Sequence, residues 1–245
     1  MDWHARFLQQ ASWTHDLRVY LFERAKIAKG QAILEVGCGT GALLADSILS
    51  PAAVHGLDID TFRLGEAKVH APGAKLTCGD AVHLPFHDAA FDVTFCHYLL
   101  LWVKNPLNVL IEMKRVTHPG GTVLAIAEPD YSSRVDKPDS LAPLGRWQTE
   151  SLRLQGADTN IGARLAELFS AAGIQIIETS LLQQDEKKTN ITNYDRDLEW
   201  AVLEADLQGT VSREELQRMK NLDEQAWGMG TRILYVPTYF AYGMV

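Results

Sequence analysis

The chain has 245 residues, 47% of them hydrophobic and 22% charged, with a formal net charge of −8. This suits one large globular domain, or one domain with insertions, able to bury a full core without staples, and the acidic balance weighs against a nucleic-acid partner, which needs a basic stripe. The cysteines Cys38, Cys78 and Cys96 match no disulfide framework or zinc knuckle and fit a reducing, cytoplasmic compartment; no apolar run approaches the roughly 20 residues that span a bilayer, and MDWHARFLQQ carries no signal-peptide pattern.

Residues 5–27 read as a helix, with Leu17, Tyr20, Leu21 and Arg24 at three-four spacing and Gly30 as its stop. AILEV (32–36) is a short apolar run before glycines and predicts a buried strand. A helix is expected from about Ala42 and a second strand over 53–59, followed by the helix TFRLGEAKVH capped by Asp60. Residues 74–80 and 91–97 read as the third and fourth strands. Asn105 at a cap position and Pro106 at the first helical position start a helix whose apolar face is Leu107, Leu110 and Ile111. Pro119-Gly120-Gly121 ends it before a fifth strand over 122–128. Strands alternating with helices predict an α/β fold with a parallel sheet covered on both faces.

The rhythm then changes. Residues 140–156 and 162–172 look helical, 174–182 reads as a strand, and 193–228 is polar and mostly helical, with Ser212 and Glu215 as a capping box. TRILYVPTYFAYG (231–243) alternates as a closing strand. Two late strands around a helical insertion predict a hairpin pair with a cap above it. Without a Pro-, Gly- or Ser-rich linker, the expectation is a single domain over 1–245. It comprises an N-terminal helical segment (1–30), a core (31–131) and helical cap insertions (132–160 and 184–230).

The informative segment is Glu35-Val36-Gly37-Cys38-Gly39-Thr40-Gly41. Glycines after a buried strand let the backbone turn tightly and approach a ligand closely. Asp58 lies 21 positions after Gly37, at a strand end where a carboxylate can accept from ribose hydroxyls. Gly37, Gly39 and Ala42 also satisfy G-x-G-x-x-G/A, so a nicotinamide- or flavin-binding oxidoreductase competes. Three features oppose that reading. Glu35 beside the glycines suits an ammonium or sulfonium better than a pyrophosphate. About 30 residues precede the first strand. Asp80, in Gly79-Asp80-Ala81, can accept from an adenine amine.

As an ensemble, ILEVGCGTG, GLDID, GDAVHLPF, FDVTFCHYLLLWVKNP and MKRVTHPGGTVL resemble the motifs of class I S-adenosylmethionine-dependent methyltransferases, nearest the ubiquinone/menaquinone-type small-molecule group. The resemblance covers roughly residues 30–128. It implies a Rossmann-like three-layer sandwich with a seven-stranded, mostly parallel sheet whose last strand is antiparallel, plus the helical cap insertions. It implies S-adenosyl-L-methionine as cofactor, with S-adenosyl-L-homocysteine as product. The loop Glu35, Gly37, Cys38, Gly39 and Gly41 would hold the methionine part, Asp58 and Ile59 the ribose side, and Asp80 with Ala81 the adenine. Cys96 and His97 would line the floor beside the sulfonium. RNA or protein methylation is the alternative within this chemistry.

His97 and Tyr98 end the fourth strand facing the expected crevice, where His97 is a candidate general base or a structural contact. Glu128, Asp130 and Tyr131 end the fifth strand; Tyr131 is the second catalytic candidate, and the other reading is an ordinary loop turned by Pro129. His83, His87 and Cys78 make a poor metal set because Pro85 separates the histidines, so no metal is assigned. Arg6 or Arg18, near Trp3 and Trp13, would meet the cofactor carboxylate if the N-terminal helix closes over it; otherwise they are surface arginines. Trp147, Arg153, Trp200, Trp227 and Tyr239 would line an acceptor pocket or form the cap's own core.

Overall fold

The computed structural model describes residues 2–49, 52–182 and 192–245. Strands β1 (Ala32–Val36), β2 (Ala53–Asp58), β3 (Lys75–Cys78), β4 (Phe91–Cys96) and β5 (Thr117–Pro129) run parallel. With β7 (Gln175–Leu181) and β9 (Thr238–Met244) they form a seven-stranded sheet of order β3-β2-β1-β4-β5-β9-β7. Only β9 opposes its neighbours, pairing antiparallel with both β5 and β7. The sequence-based fold reading therefore holds: a mostly parallel sheet with an antiparallel closing strand, flanked by helices.

Period-two alternation sends the strand side chains to two cores. On one face Leu34, Val36 and Cys96 pack against α4 (Pro106–Val116) and α6 (Leu165–Ala171) through Val109, Leu110, Met113 and Phe169. On the other, Ile33, Val93, Phe95 and Leu124 pack against Leu21 and Phe22 of α2 (His15–Arg24). Helix starts follow side-chain chemistry. Asp60 accepts the Phe62 and Arg63 amides to begin α3 (Thr61–His70), and Asn105 accepts the Asn108 amide at α4; each such cap stabilises by about 1 kcal/mol.

Three expectations are corrected. The N-terminal helix is two, α1 (Trp3–Trp13) and α2, broken at Thr14. The Arg18 guanidinium takes the Ala11 carbonyl and the Thr14 hydroxyl at the break. The helix expected from Ala42 is replaced by turns and one 3₁₀ turn, Ser47–Leu49. Leu43 and Leu49 there share a core with α2, which covers the sheet face that helix would have taken. Residues 231–243 are not one strand: β8 (Ile233–Tyr235) leaves the main sheet to pair with β6 (Val135–Lys137). Pro237 lacks an N–H for a continuous ladder, and its carbonyl accepts the Asp130 amide at 2.7 Å.

Helices α5 (Ala142–Leu154), α7 (Asn193–Asp206) and α8 (Arg213–Gly228) share a separate core of Leu141, Leu144, Trp200, Leu203, Leu207, Met219 and Ala226. Ser212 accepts the Glu215 amide at the start of α8, whereas the reciprocal capping box starts α7, between Thr192 and Asp195. A buried ionic network ties these pieces together. Asp136 accepts from Arg134 at 2.7 Å and Arg232 at 2.8 Å; Arg232 also pairs with Asp223, which accepts the Trp200 indole N–H at 2.8 Å. Residues 184–191 of the expected cap insertion lie outside the described residues. Among the described residues, no helix is long and apolar enough to cross a membrane.

Candidate functional site

The glycine loop leaves the carboxyl end of β1. Gly37, Gly39 and Gly41 have φ of +78°, +51° and +80°, the left-handed region that glycine enters without steric cost. The Gly37 and Cys38 amides donate to the Leu57 carbonyl at 2.7 and 3.0 Å. Asp58, at the end of β2, accepts the Gly39 amide on Oδ2 at 2.7 Å and the Asp60 amide on Oδ1 at 2.9 Å. Thus the acid read as a ribose partner also holds the loop, leaving one further lone pair on each oxygen. A Cβ on Gly37 would lie 2.7 Å from Leu99, and one on Gly39 would lie 3.1 Å from the Phe7 ring.

Glu35 lies under this loop, 3% exposed, with Oε2 unpartnered. Burial pushes its carboxyl well above the usual range; Arg18 pulls it down and Asp58 pushes it up. A buried acceptor without a partner is a costly arrangement that calls for an explanation. Together, the glycine cradle and this oxygen fit a ligand carrying a donor cation close to the turn. Burial raises the Cys38 and Cys96 thiols, with Glu35 adding to both shifts; both are wall rather than nucleophile.

Along the edge formed by β2 and β3, Asp58 is buried, Ile59 is 69% exposed and Ala81 is buried. Asp80 is exposed and turns the chain by accepting the Val82 amide at 3.0 Å. The Gly79 amide donates to the Asp58 carbonyl at 3.0 Å, so these four residues share one rim.

Helix α1 lies across the loop. His4 bonds Thr40 at 2.8 Å and stacks on His70 with centroids 3.4 Å apart. Arg6 pairs with Glu199 of α7, and Gln9 donates to the Asp195 carbonyl at 2.9 Å. Thr14 bonds His97 Nε2 at 3.0 Å. Arg18 pairs with Asp46 at 3.0 Å. Arg6 and Arg18 are therefore buried, not surface, arginines. An open groove of about 550 Å³ runs between α1, α2 and residues 42–46, lined by Ala11, His15, Arg18, Ala42 and Asp46 among others. Neither Thr40 nor Asp46 stood out in the sequence, and nothing local marks their partners.

Beyond the end of β4, burial and Arg18 push the His97 imidazole down to about 3. It is neutral and, as a base, weak. Its ring meets Tyr98 edge-on at 4.7 Å. Tyr131 sits in the 3₁₀ turn Tyr131–Ser133, close enough to Tyr98 to raise that phenol further, and both sense Arg6 and Glu199. Burial raises both phenols, so both remain donors. Asp130 caps the turn through the Ser132 amide at 3.0 Å. Glu128 is fully buried and accepts the amides of Leu99, Leu100 and Leu101.

The remaining candidates separate from this centre. Trp200, with Trp147 against it, belongs to the core of α5, α7 and α8. Trp227 lies under Arg196, and Arg153 donates to Thr159. Tyr239 packs on the main core opposite Glu128. His87 bonds the Asp88 carbonyl, and Cys78 approaches the Ile59 carbonyl at 3.7 Å.

A sequence profile described as a methyltransferase domain matches residues 34–125. A demethylmenaquinone methyltransferase of Geobacillus stearothermophilus is 35% identical over 193 residues, 70% of this chain and 81% of that protein. Among solved structures, the phosphoethanolamine N-methyltransferase 2 of Haemonchus contortus in complex with S-adenosyl-L-methionine aligns with a TM-score of 0.61 at 17% identity, over 94% of this chain and 52% of that one. A 4+2 cyclase, SpnF, aligns with a TM-score of 0.59 at 20% identity, over 94% and 80%. At these identities the two structural likenesses concern the fold alone.

Proposed function

The chain belongs to the class I S-adenosylmethionine-dependent methyltransferases, and on that premise we propose that it methylates a small-molecule acceptor. The observation that carries the cofactor assignment is the unpartnered Glu35 Oε2 beneath three left-handed glycines. A buried acceptor there gains a partner when a cationic amino group sits on the loop, whereas a pyrophosphate brings no donor to satisfy it.

In this reading Gly37, Cys38, Gly39 and Gly41 present backbone to the methionine part, with Glu35 facing its ammonium. Arg18, which both Glu35 and His97 sense, faces the carboxylate end. Asp58 takes the ribose with its spare lone pairs, Ile59 supplies an apolar shelf, and Asp80 with Ala81 meets the adenine. Cys96 and His97 form the floor.

When bound, the cofactor supplies a methyl group already activated on a sulfonium. The chain's own task is alignment and exclusion of water, and positioning can supply on the order of 7–11 kcal/mol. Tyr131 and Tyr98 donate to the acceptor. His97, neutral and bonded to Thr14, orients rather than ionises it. The helical layer α5, α7 and α8 closes the acceptor side, joined to α1 through Arg6 and Glu199.

The small-molecule reading draws on the demethylmenaquinone methyltransferase relative and on the acidic net charge. The test is incubation with methyl-labelled S-adenosylmethionine and a fractionated cell extract. Label in the small-molecule fraction is expected. Label confined to RNA or protein would overturn the acceptor class, and no label transfer in any fraction would oppose the activity.

A further inference from the structure

Glu128, the last residue but one of β5, makes no hydrogen bond to the glycine loop, yet its carboxylate is spent on three consecutive amides of the segment after β4. Oε1 accepts from Leu99 and Leu100 at 3.0 and 2.9 Å, and Oε2 accepts from Leu101 at 3.2 Å. Among the described residues, no cation contributes to its ionisation. A buried carboxylate held only by amides is an expensive way to fix a turn.

The segment it fixes is unusual in two ways. Tyr98, just before the three amides, has φ of +51°, a conformation that costs a bulky residue energy and persists only where its surroundings impose it. Leu99, the first residue held, lies against Gly37, 2.7 Å from where a Cβ would be. The chain on the other side of Glu128 is equally constrained. Gly162 packs so closely that a Cβ there would collide with the Glu128 carbonyl and the Tyr239 ring. One carboxylate thus couples the acceptor-side strand β5 to the wall of the glycine loop.

We propose that Glu128 is a positioning residue for cofactor binding: its ionised carboxylate holds the 99–101 amides, which keeps Leu99 packed on Gly37 and Tyr98 turned towards Tyr131. This rests on the assignment of the glycine loop to S-adenosylmethionine.

Protonation weakens the clamp, because a neutral carboxyl is a poorer acceptor than a carboxylate. Burial raises Glu128 to about 7, against the pull of the three amides, so the change falls near neutrality. The titratable groups around it are Cys96 on β4, Tyr98 in the held segment and Tyr239 across the ladder on β9. Glu35 acts on Cys96 from β1. Glu35 is the other carboxyl raised by burial, so comparison with a Glu128 variant is needed to separate the two.

The experiment is calorimetric titration with S-adenosylhomocysteine at about pH 6 and about pH 8, for the wild type, Glu128→Gln and Glu128→Asp, below the unfolding temperature of each. The wild type should bind more tightly at the higher pH. Glu128→Gln, which opposes an amide N–H with its own NH₂, should bind about ten-fold more weakly at the higher pH and lose most of the pH dependence. Glu128→Asp keeps the charge with less reach and should retain the direction of the dependence. In the wild type, hydrogen exchange at the Leu99–Leu101 amides through local openings that leave Glu128 buried should slow as pH rises, once corrected for intrinsic exchange, and this needs no variant to fold. A Gln variant with wild-type affinity and pH dependence, whatever its melting temperature, would reduce Glu128 to a structural residue, as would pH-independent corrected exchange. Wild type that fails to bind S-adenosylhomocysteine at either pH removes the cofactor assignment itself, and this inference with it.

Discussion

The Asp58 carboxylate accepts the Gly39 amide at 2.7 Å, so the end of β2 holds the middle of the glycine loop. Its other oxygen holds Asp60, the cap of α3. Asp58→Ala should therefore act twice. It should cost about 1–3 kcal/mol of stability by stranding the Gly39 amide. It should also weaken S-adenosylhomocysteine binding by more than about ten-fold through loss of both loop order and the proposed ribose contact. Calorimetry and denaturant unfolding on the same preparation check both effects. Unchanged affinity in a destabilised variant would leave Asp58 a purely structural acid.

Gly37→Ala meets two obstacles, φ of +78° and the Leu99 methyl 2.7 Å from the new Cβ. Leu99 is the end of a flexible side chain and can shift, but the backbone conformation cannot be exchanged for an ordinary one while the Gly37 amide stays on Leu57. The expected cost is about 1–3 kcal/mol in stability, with binding of S-adenosylhomocysteine reduced. Gly30→Ala is the control: φ is also positive, at +93°, but nothing lies within 4 Å and the site is remote. It should lose stability without losing affinity.

Two desolvated groups should give the protein opposite pH dependences of stability. Glu128 is raised from 4.5 to about 7. The native state keeps a proton that the unfolded state has lost, so stability falls as pH rises between those values. His97 is lowered from 6.5 to about 3. The unfolded state takes a proton that the native state refuses, so stability falls as pH drops below 6.5. Each slope is about 1.4 kcal/mol per pH unit at most. Between 4.5 and 6.5 the two oppose each other, and Glu35, also raised by burial, adds to the fall. Relative to the wild type, Glu128→Gln should tilt the profile towards a rise of stability with pH, and His97→Gln towards a steeper fall, in urea unfolding. Parallel pH profiles for all three proteins would contradict this.

Asp136 accepts from Arg134 and Arg232, whose side chains are 6% and 3% exposed. Asp136→Ala leaves two buried guanidinium groups short of a partner and should destabilise by about 3–5 kcal/mol. Asp136→Asn should cost less. If α5, α7 and α8 serve the acceptor rather than the cofactor, S-adenosylhomocysteine affinity should survive either change wherever the protein remains folded.

What the sequence made legible was local. Asn105 with Pro106, Asp60 before TFRLGEAKVH and the apolar run AILEV each carry their signal within a few residues, and each starts or forms the expected element. The glycine triplet and Asp58 were legible for the same reason: their spacing reflects a strand, a turn and the next strand. The failures are tertiary. Ala42 onward carries apolar residues that suit a helix, yet α2 covers that sheet face and the segment becomes turns. The continuous reading of 231–243 missed that Pro237 divides two sheets. Arg6 and Glu199 are 193 positions apart, and no local pattern announces such a pair. His97 could be placed at the end of β4 from its strand, but its weakness as a base depends on burial and on Arg18, which only the assembled fold supplies.

The central claim is that the loop from Glu35 to Gly41 holds S-adenosylmethionine. Its most direct test is thermal unfolding of the wild type alone, with S-adenosylmethionine, with S-adenosylhomocysteine and with NAD. At about 100 times its dissociation constant, a ligand bound only by the native state adds about 2.7 kcal/mol. The account predicts stabilisation by the two adenosyl compounds and none by NAD. Stabilisation by NAD alone would contradict it and return Gly37, Gly39 and Ala42 to a dinucleotide-binding role.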